Sequence, residues 1–355
     1  MDIIFSAKND GLVDKNRYFC TEEKDARFMN LCWIWLATLF TFVELNCENL
    51  FDYVHDEGKD DMEWTPASVR HWNKGRYWQK LNNIGQEIIS CGETNQSPSL
   101  TGRAGVGLPT WQLPDMVALC EVENDSVIHH LTEHSILRNA GYRFIITKSP
   151  DLRGIDVALL YSPASFRLIN SYALRVPPLP DMRPTRDILY AYGEIVSGDT
   201  LHVFVVHAPS RYGGERATRG NRHVVGQRLV HSIDSIRQIH QSPKIIVAGD
   251  FNDGDDGELI KYLHSQHLHH ITEGSKGRNG AKGTYKYQGK WENIDHVMVS
   301  NALVPAFVES YVNDAEFLLE EDKKYGGVQP HRNYNGMRYQ KGFSDHLPLV
   351  ARFEF

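Results

Sequence analysis

The sequence predicts a soluble α/β protein whose strands are distributed over two sheets. Hydrophobic residues make up 41% and charged residues 23% of the 355 residues, a composition typical of a globular chain. Short apolar runs rich in Val, Ile, Leu and Phe alternate with stretches of helical periodicity, the pattern of an α/β chain. These runs outnumber the strands of an ordinary sheet. We therefore expect more than one sheet.

The apolar runs and the helical stretches can be placed along the chain. One predicted helix covers 76–90, where Tyr77, Leu81, Ile84 and Ile88 recur at helical spacing, and a second covers 217–240. Three polar or Gly-rich stretches, 92–114, 274–290 and 321–342, are predicted as long loops. The strand candidates are FTFVELN, MVALCEV, YRFIITK, DVALLYS, ILYAYGEIV, LHVFVVHA, KIIVAGD, IDHVMVS and HLPLVARFEF.

The first 40 residues differ from the rest of the chain. Residues 1–40 are predicted to be a leader or a peripheral segment, and 41–355 a single domain. The uncharged stretch 31–43, LCWIWLATLFTFV, is long enough for a signal-peptide core but too short for an ordinary membrane span. It fits a buried first strand equally well, and no small-x-small cleavage site follows it. Cytoplasmic and exported locations both stay open.

Charge and cysteine content exclude some classes of protein. The formal net charge of −7 argues against a generally basic nucleic-acid-binding surface, although local patches can still bind phosphate. The five cysteines are few, odd in number and without a C-x-x-C pair. This pattern predicts neither a cysteine-based zinc site nor a disulfide framework.

Polar side chains cluster where the apolar runs end or begin. Because side chains alternate along a strand, Asn46 and Glu48 are predicted to share one side, as are Glu121 and Glu123. Where neighbouring strands are antiparallel, the end of one lies beside the start of the next, so all the clusters can meet at one edge. The clusters are Asn46–Asn49, Cys120–Glu123, His207–Ser210, Asp250–Asp253, Asp295–His296 and Ser344–His346.

Such a gathering of carboxylates, amides and histidines suits a hard divalent cation and phosphate chemistry. Mg²⁺, for which Mn²⁺ can substitute, takes oxygen ligands and keeps positions for water and a substrate phosphate. Hydrolysis of a phosphodiester also needs a base that orients water and donors for the phosphoryl oxygens. All these groups are present. A Ser-His-Asp hydrolase is disfavoured because the sequence has no G-x-S-x-G motif.

An ordered series of motifs resembles the endonuclease/exonuclease/phosphatase superfamily, in a bacterial branch. The motifs are VELNCENLFD, ALCEVEN, RGIDVALLY, VVHAPSR, VAGDFND, ENIDHVMVS and FSDHLPLV. The resemblance implies a four-layered α/β sandwich, with two mixed β-sheets flanked by helices and the active site at one mouth. It also implies that 41–355 is a catalytic domain that hydrolyses phosphodiester bonds with Mg²⁺.

The resemblance assigns a role to each motif residue. Glu121 is expected to be the principal metal ligand, with Glu48 and Asp345 nearby, and Asn46 orients these carboxylates. Asp250 is the expected general base, with Asn252 holding it or the phosphate. His346 donates to the phosphoryl oxygen, and Asp295 fixes its tautomer. His207 assists phosphate stabilisation or protonation of the leaving group.

Arginines supply the predicted phosphate contacts. Arg211 adjoins the His207 motif, Arg153 lies in a second motif, and Ser210 stands where several relatives have asparagine. Arginine is concentrated between 210 and 228, which we interpret as a local track for a polyanion on an acidic chain. The expected partner is nucleic acid or another phosphodiester, and the expected state is a monomer.

Three alternatives accompany this interpretation. A phosphatase or phosphodiesterase for a small molecule or lipid headgroup would use the same scaffold, because a fold does not fix a substrate. A binding module without activity would have lost catalytic groups, and none is missing. The segment Trp64–Trp78 interleaves aromatic and basic residues, so it predicts either a surface that stacks on bases or a helix with a core face.

Overall fold

The computed structural model describes residues 39–93 and 111–355. The predicted leader at 1–40 lies outside the described residues except for its last two, and so does most of the loop at 92–114. Of the apolar stretch 31–43, the described part begins at Leu39 and forms the start of the first strand.

The described residues form eighteen β-strands. In chain order they are β1 (Leu39–Leu50), β2 (Met116–Val122), β3 (Arg143–Ile146), β4 (Asp156–Tyr161), β5 (Phe166–Leu174), β6 (Ile188–Ile195), β7 (Thr200–His207), β8 (Lys244–Asp250), β9 (Leu268–His270), β10 (Tyr285–Tyr287), β11 (Lys290–Glu292), β12 (Asp295–Ser300), β13 (Phe307–Val312), β14 (Leu319–Glu321), β15 (Val328–Pro330), β16 (Tyr334–Asn335), β17 (Arg338–Tyr339) and β18 (Leu349–Glu354).

Four α-helices connect the strands in the described part of the chain. They are α1 (Lys74–Ser90), α2 (Asp125–Glu133), α3 (Glu215–Ile239) and α4 (Glu258–Ser265). Local chemistry explains where two of them begin. The side chain of Asn73 accepts a hydrogen bond from the backbone N–H of Arg76, and Asn124 does the same for Val127, so each asparagine caps a helix N-terminus.

Two six-stranded mixed sheets form the centre of the protein. The first sheet has the order β13-β18-β1-β2-β4-β3, and the second has the order β5-β6-β7-β8-β12-β9. Each sheet contains one parallel pair near its middle, β1 with β2 and β7 with β8, and its other neighbours are antiparallel. The two sheets are thus built to the same plan, with a parallel central pair flanked by antiparallel strands.

The apolar side chains sort into three layers of core. Phe42, Ala118 and Val203 belong to a cluster that draws on both sheets and fills the space between them. A second cluster packs the outer face of the first sheet against α1 and α2, and a third packs the outer face of the second sheet against α3 and α4. The layers run helix, sheet, sheet, helix, which confirms the predicted four-layered sandwich.

Each strand candidate overlaps an observed strand, and both predicted helices are present. The sequence did not reveal β5, β13, α2 or α4. The predicted loop at 274–290 contains β10, and the one at 321–342 contains β15 and the short hairpin β16–β17.

The aromatic segment belongs to the core. Trp64 and Trp72 are 4% and 0% exposed, and Tyr77 is fully buried beside them on the helix side of the first sheet. These rings are covered by protein, so the base-stacking interpretation is wrong for them. In the described part of the chain, Cys47, Cys91 and Cys120 are buried free thiols. No helix among the described residues has the length and apolar character needed to span a membrane.

Candidate active site

Three neighbouring strands of the second sheet bring His207, Asp250 and Asp295 side by side. In the strand register, Asp250 at the end of β8 pairs with His207 on the parallel strand β7 and with Asp295 on the antiparallel strand β12. Paired residues of adjacent strands project on the same face. Because β12 runs antiparallel to β8, the strand ends that carry His207 and Asp250 lie beside the start of the strand that carries Asp295.

The first sheet holds the Asp250 carboxylate from the opposite side. Asn46 on β1 donates from Nδ2 to Oδ2 of Asp250 at 3.0 Å, and the backbone N–H of Asn252 donates to Oδ1 at 2.8 Å. Asn252 has a φ of 50°, which turns the chain sharply after the strand, and its own Nδ2 donates to the carbonyl of Ala208 at 3.1 Å. Both Asp250 oxygens are therefore fixed in direction.

Asp250 is only 2% exposed, and this burial changes its acidity. Burial, together with the neighbouring Asp295 carboxylate, raises the pKa of Asp250 to about 7. A carboxyl group with such a pKa exchanges its proton near neutral pH, as a general base for water requires.

His346 and Asp295 form a hydrogen-bonded pair across the two sheets. Nδ1 of His346 lies 2.8 Å from Oδ2 of Asp295, and among the described residues Nε2 of His346 has no hydrogen-bond partner. Burial alone would lower the pKa of His346, but the Asp295 charge and hydrogen bond outweigh it and hold the pKa well above its ordinary value. Nε2 of a protonated His346 is thus an available donor.

The chain before β18 is anchored so that His346 keeps this position. Ser344 donates from Oγ to the carbonyl of Asn46 at 2.6 Å and accepts from the backbone N–H of His346 at 3.2 Å. The ring of Tyr285 lies against the imidazole, with 4.9 Å between ring centroids. The Ser-Asp-His motif therefore carries its own support for the histidine.

His207 is a neutral neighbour of these groups. Its Nε2 lies 3.6 Å from Oδ2 of Asp250 and 3.9 Å from Oε1 of Glu121. Burial and the nearby charges of Arg186 and Arg153 lower the pKa of His207 well below its ordinary value. A neutral imidazole can donate one hydrogen bond without adding a charge.

Two irregular strand ends set the direction of Glu48 and Glu121. The pairing of β1 with β2 passes from Asn46↔Cys120 to Leu50↔Val122, so three residues of β1 lie opposite Glu121 alone. Glu48 and Glu121 have φ values of 47° and 60°, in the left-handed region that non-glycine residues rarely adopt. Such bulges redirect side chains and are common at active sites.

The predicted alternation therefore fails at these strand ends. Cys120 belongs to the core between the sheets and Val122 to the core on the helix side, so the inserted Glu121 breaks the two-residue period. Oε2 of Glu121 accepts from the backbone N–H of Asn49 at 2.9 Å, whereas Glu123 accepts from the N–H of Asp52. The two glutamates do not act as a pair.

Arg153 borders the Glu121 carboxylate. Its Nη1 lies 3.9 Å from Oε1 of Glu121, and its Nη2 donates to Oδ1 of Asn49. The side chain is 47% exposed, so part of the guanidinium faces solvent. Arg153 thus lies between solvent and the cluster formed by Glu121 and His207.

Glu48 and Asp345 share an arginine that the sequence did not single out. Nη2 of Arg332 donates to Oδ2 of Asp345, and Nε of Arg332 lies 4.0 Å from Oε1 of Glu48. Burial and the nearby Asp345 raise the pKa of Glu48 to about 7. Burial opposes ionisation of Asp345, but Arg332 outweighs it and lowers the pKa of that carboxyl. In the sequence, the only indication that Arg332 has a role was that it lies in the predicted long loop at 321–342.

Glu44 is a second residue near the site that was not predicted from the sequence. It lies on β1 two residues before Asn46, is 0% exposed, and neither carboxyl oxygen has a hydrogen-bond partner among the described residues. Burial, followed by the charges of Asp295 and Asp250, raises its pKa well above the ordinary value. Glu44 is a neutral acid beneath the site, and its place inside an apolar run concealed it.

The described residues contain two groups of three side chains that could hold a metal ion. In one group, donor atoms of Asp250, Asp295 and His346 all lie within 4.8 Å of one another. Among the described residues, the predicted ligands Glu48, Glu121 and Asp345 are not such a group. Arg332 lies against Glu48 and Asp345, and Glu121 accepts from the backbone N–H of Asn49. The other group, outside this site, is described below.

The predicted phosphate-binding residues differ in how accessible they are. Arg211 donates from Nε to the carbonyl of Asn252 at 2.8 Å and from Nη1 to Oε2 of Glu292 at 2.6 Å. Ser210 is exposed, and its hydroxyl accepts from the N–H of Tyr212 at 3.2 Å. Arg211 therefore braces the turn after Asp250.

The arginine track is partly neutralised by acidic partners. Arg219 pairs with Glu258 at 2.6 Å, and the buried Arg222 lies 3.9 Å from Asp253. Arg216 is exposed. The segment 210–228 is thus less basic than its sequence suggests, and Arg153 and Arg332 are the arginines that contact predicted site carboxylates.

The fold defines a class of protein: a two-sheet α/β sandwich with carboxylates and histidines gathered where the strands of both sheets end. The chain belongs to the Endonuclease/Exonuclease/phosphatase family, whose family model matches residues 41–354. The family comprises metal-dependent hydrolases of phosphoesters. A search of the curated proteins found no match to the chain.

Solved structures share the fold at low sequence identity. An endonuclease/exonuclease/phosphatase family protein from Bacteroides thetaiotaomicron has a TM-score of 0.56 and 15% identity, covering 90% of this chain and 99% of its own. A mannosyl-6-phosphatase from the same organism has a TM-score of 0.55 and 15% identity, covering 89% and 100%. The catalytic domain of human Nocturnin, with bound sulfate, has a TM-score of 0.52 and 18% identity, covering 90% and 95%.

Proposed function

We propose that this protein is a Mg²⁺-dependent phosphodiesterase, nuclease-like in its action, in which Asp250 activates the attacking water. The observation that carries the proposal is the pair of hydrogen bonds that fixes the Asp250 carboxylate. Asn46 donates one from the first sheet, and the backbone N–H of Asn252 donates the other. The His346–Asp295 pair lies beside it. A base and a donor are thus fixed close to one another. The proposed unit is a single catalytic domain, 41–355, that acts as a monomer and follows a leader or peripheral segment at 1–40.

The residues divide the work of hydrolysis. Asp250 takes a proton from water, and its pKa of about 7 suits that step at neutral pH. His346, kept protonated by Asp295, donates from Nε2 to a phosphoryl oxygen whose negative charge grows in the transition state. Neutral His207, 3.6 Å from Asp250, is placed to donate to the phosphate or to the leaving oxygen.

The donor groups fit a hard divalent cation. Glu121, with Glu48 and Asp345, would hold the ion, because carboxylate oxygens are the ligands that Mg²⁺ prefers. The buried Oδ1 of Asp295 has no hydrogen-bond partner among the described residues, as expected of an atom awaiting a cation. When bound, the ion polarises a phosphoryl oxygen and makes bound water more acidic.

We expect activity to require Mg²⁺ or Mn²⁺ and to disappear in excess EDTA. Replacing Glu121 with alanine should raise the Mg²⁺ concentration that gives half-maximal rate by about tenfold or more, as the loss of a metal-site group typically does. Glu133→Ala, an exposed change at the end of α2, is the matched control and should leave the Mg²⁺ dependence unchanged. Initial rates measured across a Mg²⁺ series decide the point. Full activity in EDTA would end the metal hypothesis.

Arginines near the site are the groups expected to bind the phosphates of a substrate. The exposed face of Arg153, beside Glu121, supports a role in binding a substrate phosphate. We expect Arg153→Met to lower kcat/KM on a DNA oligonucleotide by about tenfold or more, the effect of losing one charge-assisted contact. Arg219→Met is the matched control, because Arg219 already pairs with Glu258. Equal losses in both variants would remove Arg153 from this role.

A phosphatase acting on a small-molecule or lipid-headgroup phosphate is the second candidate. The acidic partners of Arg211, Arg219 and Arg222 favour it, because they weaken the predicted polyanion track. Comparing kcat/KM on a DNA oligonucleotide with that on a sugar or inositol monophosphate separates the two. A nuclease also loses affinity as salt rises. If the monoester is preferred by a wide margin, the phosphatase takes the place of the nuclease.

A further inference from the structure

Asp255, His270 and His296 form a second group of converging donors. They come from three separate elements: the turn after β8, the short edge strand β9, and β12. Nδ1 of His296 lies 2.9 Å from Nε2 of His270. Oδ1 of Asp255 lies 3.7 Å from Nε2 of His270 and 3.8 Å from Nδ1 of His296.

The two imidazoles are within hydrogen-bond distance of each other, but Asp255 is too far from both for a hydrogen bond and lies at a distance that suits a shared metal ion. Ligand atoms of a tetrahedral zinc site lie about 3.3 Å apart, given metal–ligand bonds of about 2.0–2.1 Å. The three separations lie on either side of that value. Oδ1 of Asp255 is buried, lies beyond hydrogen-bond distance of both imidazoles, and has no partner among the described residues. Leaving such an oxygen unsatisfied is unfavourable, and a cation at the centre of the group would satisfy it.

The surroundings hold the ligands as a metal site does. Nε2 of His296 lies 2.8 Å from the backbone carbonyl of Asp253, to which it can only donate, so Nδ1 carries the lone pair that faces the group. Nδ2 of Asn293 donates to Oδ2 of Asp255 at 2.9 Å and leaves Oδ1 free.

We propose that Asp255, His270 and His296 bind a divalent transition-metal ion, of which Zn²⁺ is the test case. Two imidazoles and one carboxylate favour zinc-like ions over Mg²⁺ or Ca²⁺, which prefer oxygen ligands throughout. The cysteine pattern predicted no zinc site, but this one uses no cysteine. The ion would fasten the turn after Asp250 and the edge strand β9 to β12.

This site is separate from the catalytic one. Asp295 and His296 are adjacent on β12, so their side chains leave opposite faces of the second sheet. The ring of His296 lies against Phe251, whose side chain belongs to the core on the helix side. An ion held there would be structural, and its binding does not depend on whether the protein is a phosphodiesterase.

Zinc binding to the full chain tests the proposal. Protein stripped of metal is titrated with Zn²⁺ against a chromogenic chelator, with excess Mg²⁺ present to occupy the oxygen-rich site. We expect one tight Zn²⁺ per chain, lost in His270→Asn and in Asp255→Asn. His269→Asn and Asp256→Asn, exposed neighbours that receive the same substitutions, should keep it. Asp250→Asn should also keep it, which excludes the catalytic group as its source.

Thermal unfolding supplies a second readout. Zn²⁺ at ~100 times its Kd should raise the Tm of the wild type and both controls by about 5 °C, and should leave His270→Asn and Asp255→Asn unchanged. Should His270→Asn fail to fold, the partly exposed Asp255 still decides the outcome. A wild-type protein that binds no stoichiometric zinc, or variants that bind it as the wild type does, would overturn the proposal.

Discussion

The Asp250→Asn variant is expected to turn over substrate about 10²–10⁴-fold more slowly than the wild type, the usual effect of removing a positioned base. The amide has the shape of the carboxylate but cannot accept a proton from water. Substrate affinity should change little, because the phosphate contacts lie on other residues. Single-turnover rates measured with a phosphodiester under saturating Mg²⁺ report the chemical step directly.

The contacts of Asp250 also predict the structural effect of this change. The Asn252 backbone N–H would still find an oxygen, but the new amide nitrogen would face the Nδ2 of Asn46, so one hydrogen bond becomes a contact between two donors. That loss is about 1 kcal/mol. It is offset because a neutral amide replaces a buried charged group. Asp256→Asn, an exposed change in the same turn, is the control and should retain full activity. If the rate of Asp250→Asn falls by only a few-fold, Asp250 is not the general base.

The second large effect concerns the His346–Asp295 pair. His346→Ala should lower kcat by about 10²–10⁴-fold, the range for a general acid, and Asp295→Asn should lower it less. The double variant should lose less than the sum of the single losses in free energy, because the two side chains act as one unit. A double-mutant cycle on kcat tests this. Strict additivity would show that they are not partners.

The pH profile separates catalysis by this pair from a merely structural role. Asp295 holds the pKa of His346 above its ordinary value, so removing the carboxylate lowers that pKa. The imidazolium then loses its proton at a lower pH. In Asp295→Asn the alkaline limb of the kcat profile should therefore move toward lower pH. A loss of activity equal at every pH would instead indicate a change in structure alone.

The sequence predicted more than one sheet because the central strands are buried on both faces and appear as continuous apolar runs, and the family resemblance implied the sandwich. The missed strand β5 shows why the edges are harder. Only its first and last residues are buried, and those between are exposed or half-buried, with neither a continuous apolar run nor clear alternation. Edge strands are half solvated, so the hydrophobic signal that defines central strands is weak in them.

The site was predictable as a set of residues but not as a geometry. The predicted alternation failed at Glu121, because a bulge depends on the pairing of two strands and leaves no local pattern. Arg332 approaches Glu48 from 284 residues along the chain, a contact that no spacing rule reveals. Arg211 looked like a free phosphate ligand because its partner Glu292 comes from a distant strand.

The hydrogen bonds that assemble the site have a consequence for folding. Asn46 and Asp250 are 204 residues apart in sequence, and each belongs to a different sheet, as do Asp295 and the segment that carries His346. Contacts between such distant residues form slowly, because a long loop must close first. Either sheet could acquire its strands while the two remain undocked. During refolding, recovery of catalysis therefore reports the docking of the two sheets, a later event than the recovery of secondary structure.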